Sequence, residues 1–241
     1  TFRNAFASSS SFVGARFPYL SANLDFSGDS DLRSVFVDTT ATAGLEAASA
    51  NNGKIVPSAV ITVNGERIGL VGATTQLIES ISSPSGTEVK GFPTGAGPNG
   101  ERDDMDLLAS QLQPVINDLT SQGVNKVILM AHLQQIANET LLATKLSGVD
   151  VILAAGSNTR LGDSNDIAVA FNGHAAAFEG GTYPRVLTDK DGKTTLLVNT
   201  DNEFTYLGRL VVDFDSSGNL ITSNLAARST INGAYAATDA N

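Results

Sequence analysis

Apolar residues fall along the chain in short runs broken by Gly, Pro, Asn and Asp, with one longer stretch at helical spacing. The clearest local pattern is SAVITVNGERIGLVGATT (58–75). Two β-branched runs flank Asn64-Gly65, a dipeptide that favours a type I′ hairpin because both central positions need φ > 0. Ile68 to Val71 is continuously apolar, as in a strand covered on both faces. FPYLSANLDF (17–26) reads as a buried strand entered through Pro18, and Phe2, Phe6 and Phe12 predict a helix over residues 1–13. Residues 27–53 read as loop with a short helix near 42–50, and 82–100 as a Gly/Pro/Ser-rich loop.

From 101 to 122, Met105, Leu108, Leu112, Val115, Ile116 and Leu119 recur at helical spacing. Pro114 lies inside this pattern and predicts a kink or a split. KVILMAH, QQIANETLLATKL and GVDVILAAG then follow as strand, helix and strand with short connections. Such a unit predicts parallel pairing. Residues 160–193 read as a long irregular stretch, TTLLVNT and TYLGRLVVDFD as two strands, and NLITS as a last short one. Residues from 226 read as a tail.

The strand–helix–strand unit is where candidate chemistry appears. His132 ends its first strand, and Gly156-Ser157-Asn158-Thr159 ends its second. Ligands of open α/β sheets bind beyond the carboxyl ends of strands, so both polar ends are predicted on one edge. His174 falls in the irregular stretch and reads as solvated.

Composition narrows the chemistry. The chain has 241 residues, no Cys and two His, with a net charge of −10. Thiol catalysis and Cys-ligated metals are excluded. A catalytic zinc needs about three protein ligands, so His132 and Asn158 make at most part of a metal site. The acidic balance and the lack of a basic patch argue against nucleic acid as a partner. No stretch of about 18 apolar residues exists to span a membrane. The first residues lack the apolar core of a signal peptide, and Thr1 suggests that the chain begins inside a longer one.

The remaining motifs are weak. GAGPNG (95–100) matches G-x-G-x-x-G, but it follows no strand and Pro98 removes an amide that a phosphate would need. TDKDG and DSSGN read as hairpin turns, and DFSGDSD (25–31) as a weak calcium candidate. No Ser/His/Asp set is evident.

Five segments taken in order, FPYLSANLDF, AVITVNGERIGLVGATT, VNKVILMAHLQQ, LSGVDVILAAGSNTRLGD and LLVNTDNEFTYLGRLVVDFD, resemble the 5′-nucleotidase-like (calcineurin-like) metallophosphoesterases, especially large secreted bacterial 5′-nucleotidase or alkaline-phosphatase-like proteins. The resemblance implies an α/β fold, part of a four-layer α/β/β/α sandwich with mixed sheets. It implies hydrolysis of phosphate monoesters or nucleotides with two divalent metal ions (Zn, Mn or Ca), which lower the pKa of an attacking water and neutralise phosphoryl charge. It further implies an extracellular or periplasmic protein of nucleotide catabolism.

In that family, ligands come from an early Asp-x-His, a second Asp, a Gly-Asn-His-Glu/Asp block, a later His and a Gly-His-x-His block. His132 matches the later His. Gly156 stands where the first His of the last block would be, and Asn158 where the second would be. The early blocks are absent. The expectation is that residues 1–225 are the C-terminal portion of a phosphoesterase domain and 226–241 a linker or tail. The isolated chain is then expected to be inactive, with no catalytic residue of its own and no bound metal, and prone to self-association through open sheet edges. The alternative is a degenerate phosphatase fold serving as a binding or surface scaffold.

Overall fold

The computed structural model describes residues 15–38, 47–92, 102–171 and 173–237. Among the described residues twelve strands run in chain order: β1 (Tyr19–Leu20), β2 (Leu24–Asp25), β3 (Ile55–Val56), β4 (Ser58–Val63), β5 (Glu66–Thr74), β6 (Glu88–Val89), β7 (Val127–His132), β8 (Val151–Ala155), β9 (Arg185–Thr188), β10 (Thr194–Val198), β11 (Tyr206–Arg209) and β12 (Gly233–Ala236). The α-helices are α1 (Ile78–Ile81), α2 (Met105–Ser121) and α3 (Ile136–Ala143).

The principal sheet has the order β4-β5-β7-β8-β10-β9. Its four inner strands are parallel, and β4 and β9 pair antiparallel at the edges. The fold is therefore α/β with a mixed sheet, as expected. The β4–β5 hairpin turns at Asn64 (φ 51°) and Gly65 (φ 85°), the two left-handed positions that an Asn-Gly turn supplies.

One face of this sheet carries the core. Val71, Ala73, Leu129, Ala131, Ile152 and Leu197 pack with Leu108, Leu112, Ile116 and Leu119 of α2 and Leu142 of α3. All six apolar positions expected of the long helix are buried. On the opposite face Leu70 and Ile128 are half-buried, while Met130 and Leu153 are 44% and 39% exposed. Leu20 covers part of that face by resting on Gly72, where a side chain would collide with its backbone.

Pro114 does not split α2, which runs unbroken from Met105 to Ser121. Pro114 is exposed, so the backbone bond it removes lies on the solvent side. A helix-interior proline costs about 3 kcal/mol, whereas burying Leu112, Val115 and Ile116 contributes roughly 1.5–3 kcal/mol each. Asp104 caps the helix by accepting from the Leu107 amide at 2.9 Å.

Other expectations change in detail. The stretch 17–26 is two short strands, because residues 21–23 leave the strand path and Asn23 turns inward to bond the end of β5. Residues 48–51 form a 3-10 turn, whereas the rest of the region expected near 42–50 to be helical is described only from residue 47. The irregular stretch 160–193 contains β9, which reaches β10 through the predicted TDKDG turn. Within TYLGRLVVDFD only Tyr206–Arg209 is strand. NLITS contributes a bridge between Leu220 and Phe214 and then a 3-10 turn. Within the stretch expected to be a tail, Gly233–Ala236 forms β12 and pairs with β11, burying Ala234 and Ala236. The predicted helix over 1–13 and the GAGPNG motif lie outside the described residues. No helix among the described residues is long and apolar enough to cross a membrane.

Candidate functional site at the carboxyl edge of the sheet

Because β5, β7, β8 and β10 are parallel, their carboxyl ends open on one edge, where α/β sheets bind ligands. Thr74 pairs with His132, and His132 pairs with Ala155, the residue before Gly156. Both predicted polar ends therefore lie side by side. Asn23, fully buried, accepts from the Thr74 amide at 2.9 Å and donates to its carbonyl at 2.8 Å, closing the end of β5.

The Gly-Ser-Asn-Thr loop is held by β10. Asn199 Nδ2 donates to Ser157 Oγ at 3.0 Å, and Ser157 Oγ donates to Thr159 Oγ1 at 2.8 Å. The Asp201 amide donates to the Thr159 carbonyl at 3.0 Å. Gly156 (φ 87°) and Asn158 (φ 52°) both take left-handed backbone conformations. Gly has no steric cost there, and Asn tolerates the region better than most residues.

Arg160 fastens the loop beyond. Its Nε meets Asp201 Oδ2 at 2.5 Å, with both side chains at most 2% exposed. Nη1 donates to the carbonyls of Val169 and Ala175 at 3.0 and 2.8 Å, and the guanidinium lies over the Tyr206 ring. This arginine is committed to structure. It ties the 161–181 segment to the end of β10.

His132 is exposed at the strand end, and Asn158 is exposed on the loop. A Cβ at Gly156 would sit 2.7 Å from His132 Nε2 and 3.0 Å from Gln134 Oε1. Position 156 thus faces the imidazole directly, but with no ligand atom to offer. Among the described residues no group of three His, Asp or Glu side chains is placed to hold a metal ion. A dinuclear centre needs more donors than one imidazole and one amide, so the described residues alone do not assemble one. The calcium candidate at 25–31 resolves into a turn: Asp29 accepts from the amides of Asp31 and Leu32 and from the Thr87 hydroxyl.

Two features of this edge carry no sequence motif. Glu139 of α3 is fully buried beneath the strand ends, accepting from the Leu133 amide at 3.1 Å. Burial pushes its carboxyl up to about 7. His174, expected to be solvated, is half-buried instead and lines a cavity of about 440 Å³ together with Ile136, Asn158, Thr159, Glu179 and Arg185.

No protein-family model matches the chain. It is 33% identical to a 5′-nucleotidase of Mus musculus over 174 residues, 71% of this chain and 26% of that protein. It is 31% identical to the snake venom 5′-nucleotidase of Crotalus adamanteus over 213 residues, 87% of this chain and 29% of the relative. Among solved structures, the 5′-nucleotidase precursor from Thermus thermophilus superposes with a TM-score of 0.60 at 28% identity, over 86% of this chain and 32% of that one. The NAD nucleotidase of Haemophilus influenzae shares the fold, with a TM-score of 0.55 at 21% identity over 84% of this chain and 32% of that one. The chain spans less than a third of the length of each of these relatives. The two curated relatives, each at least 30% identical over more than two thirds of this chain, put the chain in the 5′-nucleotidase-like metallophosphoesterase family.

Proposed function

We propose that residues 1–225 are the C-terminal portion of a phosphoesterase domain, onto which β12 of the 226–241 stretch packs back, and that the whole protein hydrolyses phosphate monoesters of the nucleotide class. The observation that carries this reading is the placement of His132 at the shared strand edge, directly facing position 156. Kinship with 5′-nucleotidases supports the substrate class. In the whole protein His132, with Asn158 as a neutral oxygen donor, would contribute to a divalent metal site of Zn, Mn or Ca completed by other segments. The half-open sheet face around Met130 and Leu153 is where the second sheet of a four-layer sandwich would pack. A venom relative and a precursor relative support an extracellular or periplasmic setting.

On this reading the isolated chain has no turnover. The test compares hydrolysis of a generic phosphomonoester by this chain and by the longer polypeptide containing it, each with added Mn²⁺, Ca²⁺ or Zn²⁺. Activity only in the longer form is expected. Inactivity of the longer form with all three metals would defeat the enzyme reading.

The glycine at 156 favours a second reading, a degenerate phosphatase fold retained as a binding or surface scaffold. Metal-free, inactive but folded longer protein is its signature. In either case the edge strand β9, with Val186 exposed, would be the edge for self-association among the described residues, since Ala47 bridges Val60 on the outer side of β4. Concentration-independent monomer sedimentation would rule that out.

A further inference from the structure

The cavity between the Gly-Ser-Asn-Thr loop, the start of α3 and the start of β9 is lined by an arginine that has no counter-ion among the described residues. Arg185 is half-buried. Its Nη1 donates to Thr140 Oγ1 at 2.9 Å and its Nη2 to the Gly180 carbonyl at 2.6 Å. Both acceptors are neutral, so they orient the guanidinium without balancing its charge. Of its five N–H donors, these bonds commit two. Among the described residues no carboxylate forms an ion pair with Arg185, although the chain carries 25 acidic residues against 15 basic ones. Arg160 on the same cavity wall shows the contrast, since Asp201 neutralises it completely. A partly desolvated cation without a partner is costly and gains from an anion.

The other walls supply donors. Ser157 Oγ accepts from Asn199 Nδ2 and from the Thr159 amide, so its own proton goes to Thr159 Oγ1. The Thr159 hydroxyl therefore keeps a proton to donate. The His174 backbone is fixed by reciprocal bonds with Phe171, at 2.9 and 3.3 Å, and the residue lines the cavity. Asn158 brings an amide. Glu179 also lines the cavity, but it is exposed and its charge is screened by water.

We infer that this cavity binds a phosphate group, free or carried by a phosphomonoester, through Arg185, His174, Thr159 and Asn158. The site needs no metal ion. The choice of phosphate among anions rests on the phosphoester reading, whereas the affinity for an anion rests on Arg185 and the donors around it.

The experiment titrates the 241-residue chain, with a chelator present, with inorganic phosphate, a nucleoside monophosphate or the bare nucleoside, followed by NMR. Phosphate and the monophosphate are expected to shift the side-chain signals of His174 and Arg185, and the nucleoside is not. Arg185→Gln is expected to weaken phosphate binding about tenfold, the loss of one charge-assisted contact. Glu179→Gln is expected to strengthen it a few-fold by removing a repelling charge. Arg209→Gln, an exposed arginine on β11, is the control and leaves affinity unchanged. If Arg185→Gln disturbs the fold, His174→Gln provides the same test, with about a threefold or greater loss expected. The proposal is overturned if free phosphate causes no shift at these residues, if the bare nucleoside does as well, or if Arg185→Gln and Arg209→Gln weaken binding equally. Because the measurement involves no turnover, an inactive enzyme leaves its outcome untouched.

Discussion

His132 Nε2 stands against the backbone of Gly156, 2.7 Å from where a side chain at that position would begin. The contact joins the ends of β7 and β8 and explains why a glycine is accommodated there. Gly156→Ala meets two penalties, a left-handed φ of 87° and the imidazole. The backbone penalty alone is about 1–2 kcal/mol. In a His132→Ala background the second penalty disappears. Urea unfolding of the parent chain, the two single variants and the double variant is therefore expected to show a coupling of at least about 0.5 kcal/mol. Additive losses would show that the ring does not crowd position 156.

The Arg160–Asp201 pair is expected to govern the 161–181 segment. Removing one member of a buried pair leaves an uncompensated charge and costs roughly 3–5 kcal/mol. Asp201→Ala should therefore lower stability by that order and open residues 161–181 to limited proteolysis. Arg160 would lose the partner that lets it hold Val169 and Ala175. Unchanged cleavage of the segment would mean that its other contacts suffice.

Glu139 sets a pH dependence of stability. Burial raises its folded-state value to about 7 from an ordinary 4.5. Between those values the native state binds more protons than the unfolded one, so stability falls as pH rises. The contribution is fully present below pH 4.5 and lost as pH passes through about 7. It amounts to roughly 3 kcal/mol. Asp150, whose burial lifts its carboxyl to about 6 from 3.8, acts in the same direction at lower pH. Glu139→Gln, a mimic of the protonated side chain, is expected to flatten the profile between about pH 5 and 8. A profile identical to that of the parent chain would show that Glu139 does not set it.

Much of the fold was legible because its elements are locally encoded. The Asn64-Gly65 turn, the six buried positions of α2 and the parallel β7–β8 pair follow from turn chemistry and periodicity. Pro114 does not split the helix because proline propensity is local, while the packing of Leu112, Val115 and Ile116 is not. The short strands β9 and β12 escaped notice because pairing, rather than pattern, defines a four-residue strand. At the site, strand-end position made His132 and Asn158 visible. Glu139, Arg185 and His174 were not, since their roles arise from burial and from neighbours distant in sequence.

Among the described residues, the strand edge around His132 offers too few donors to hold a metal ion. Metal analysis of the purified 241-residue chain after dialysis without chelator checks this. The predicted result is well under one equivalent of Zn, Mn or Ca, with no change when His132 is replaced by Ala. One or more tightly held equivalents that vanish in His132→Ala would contradict it.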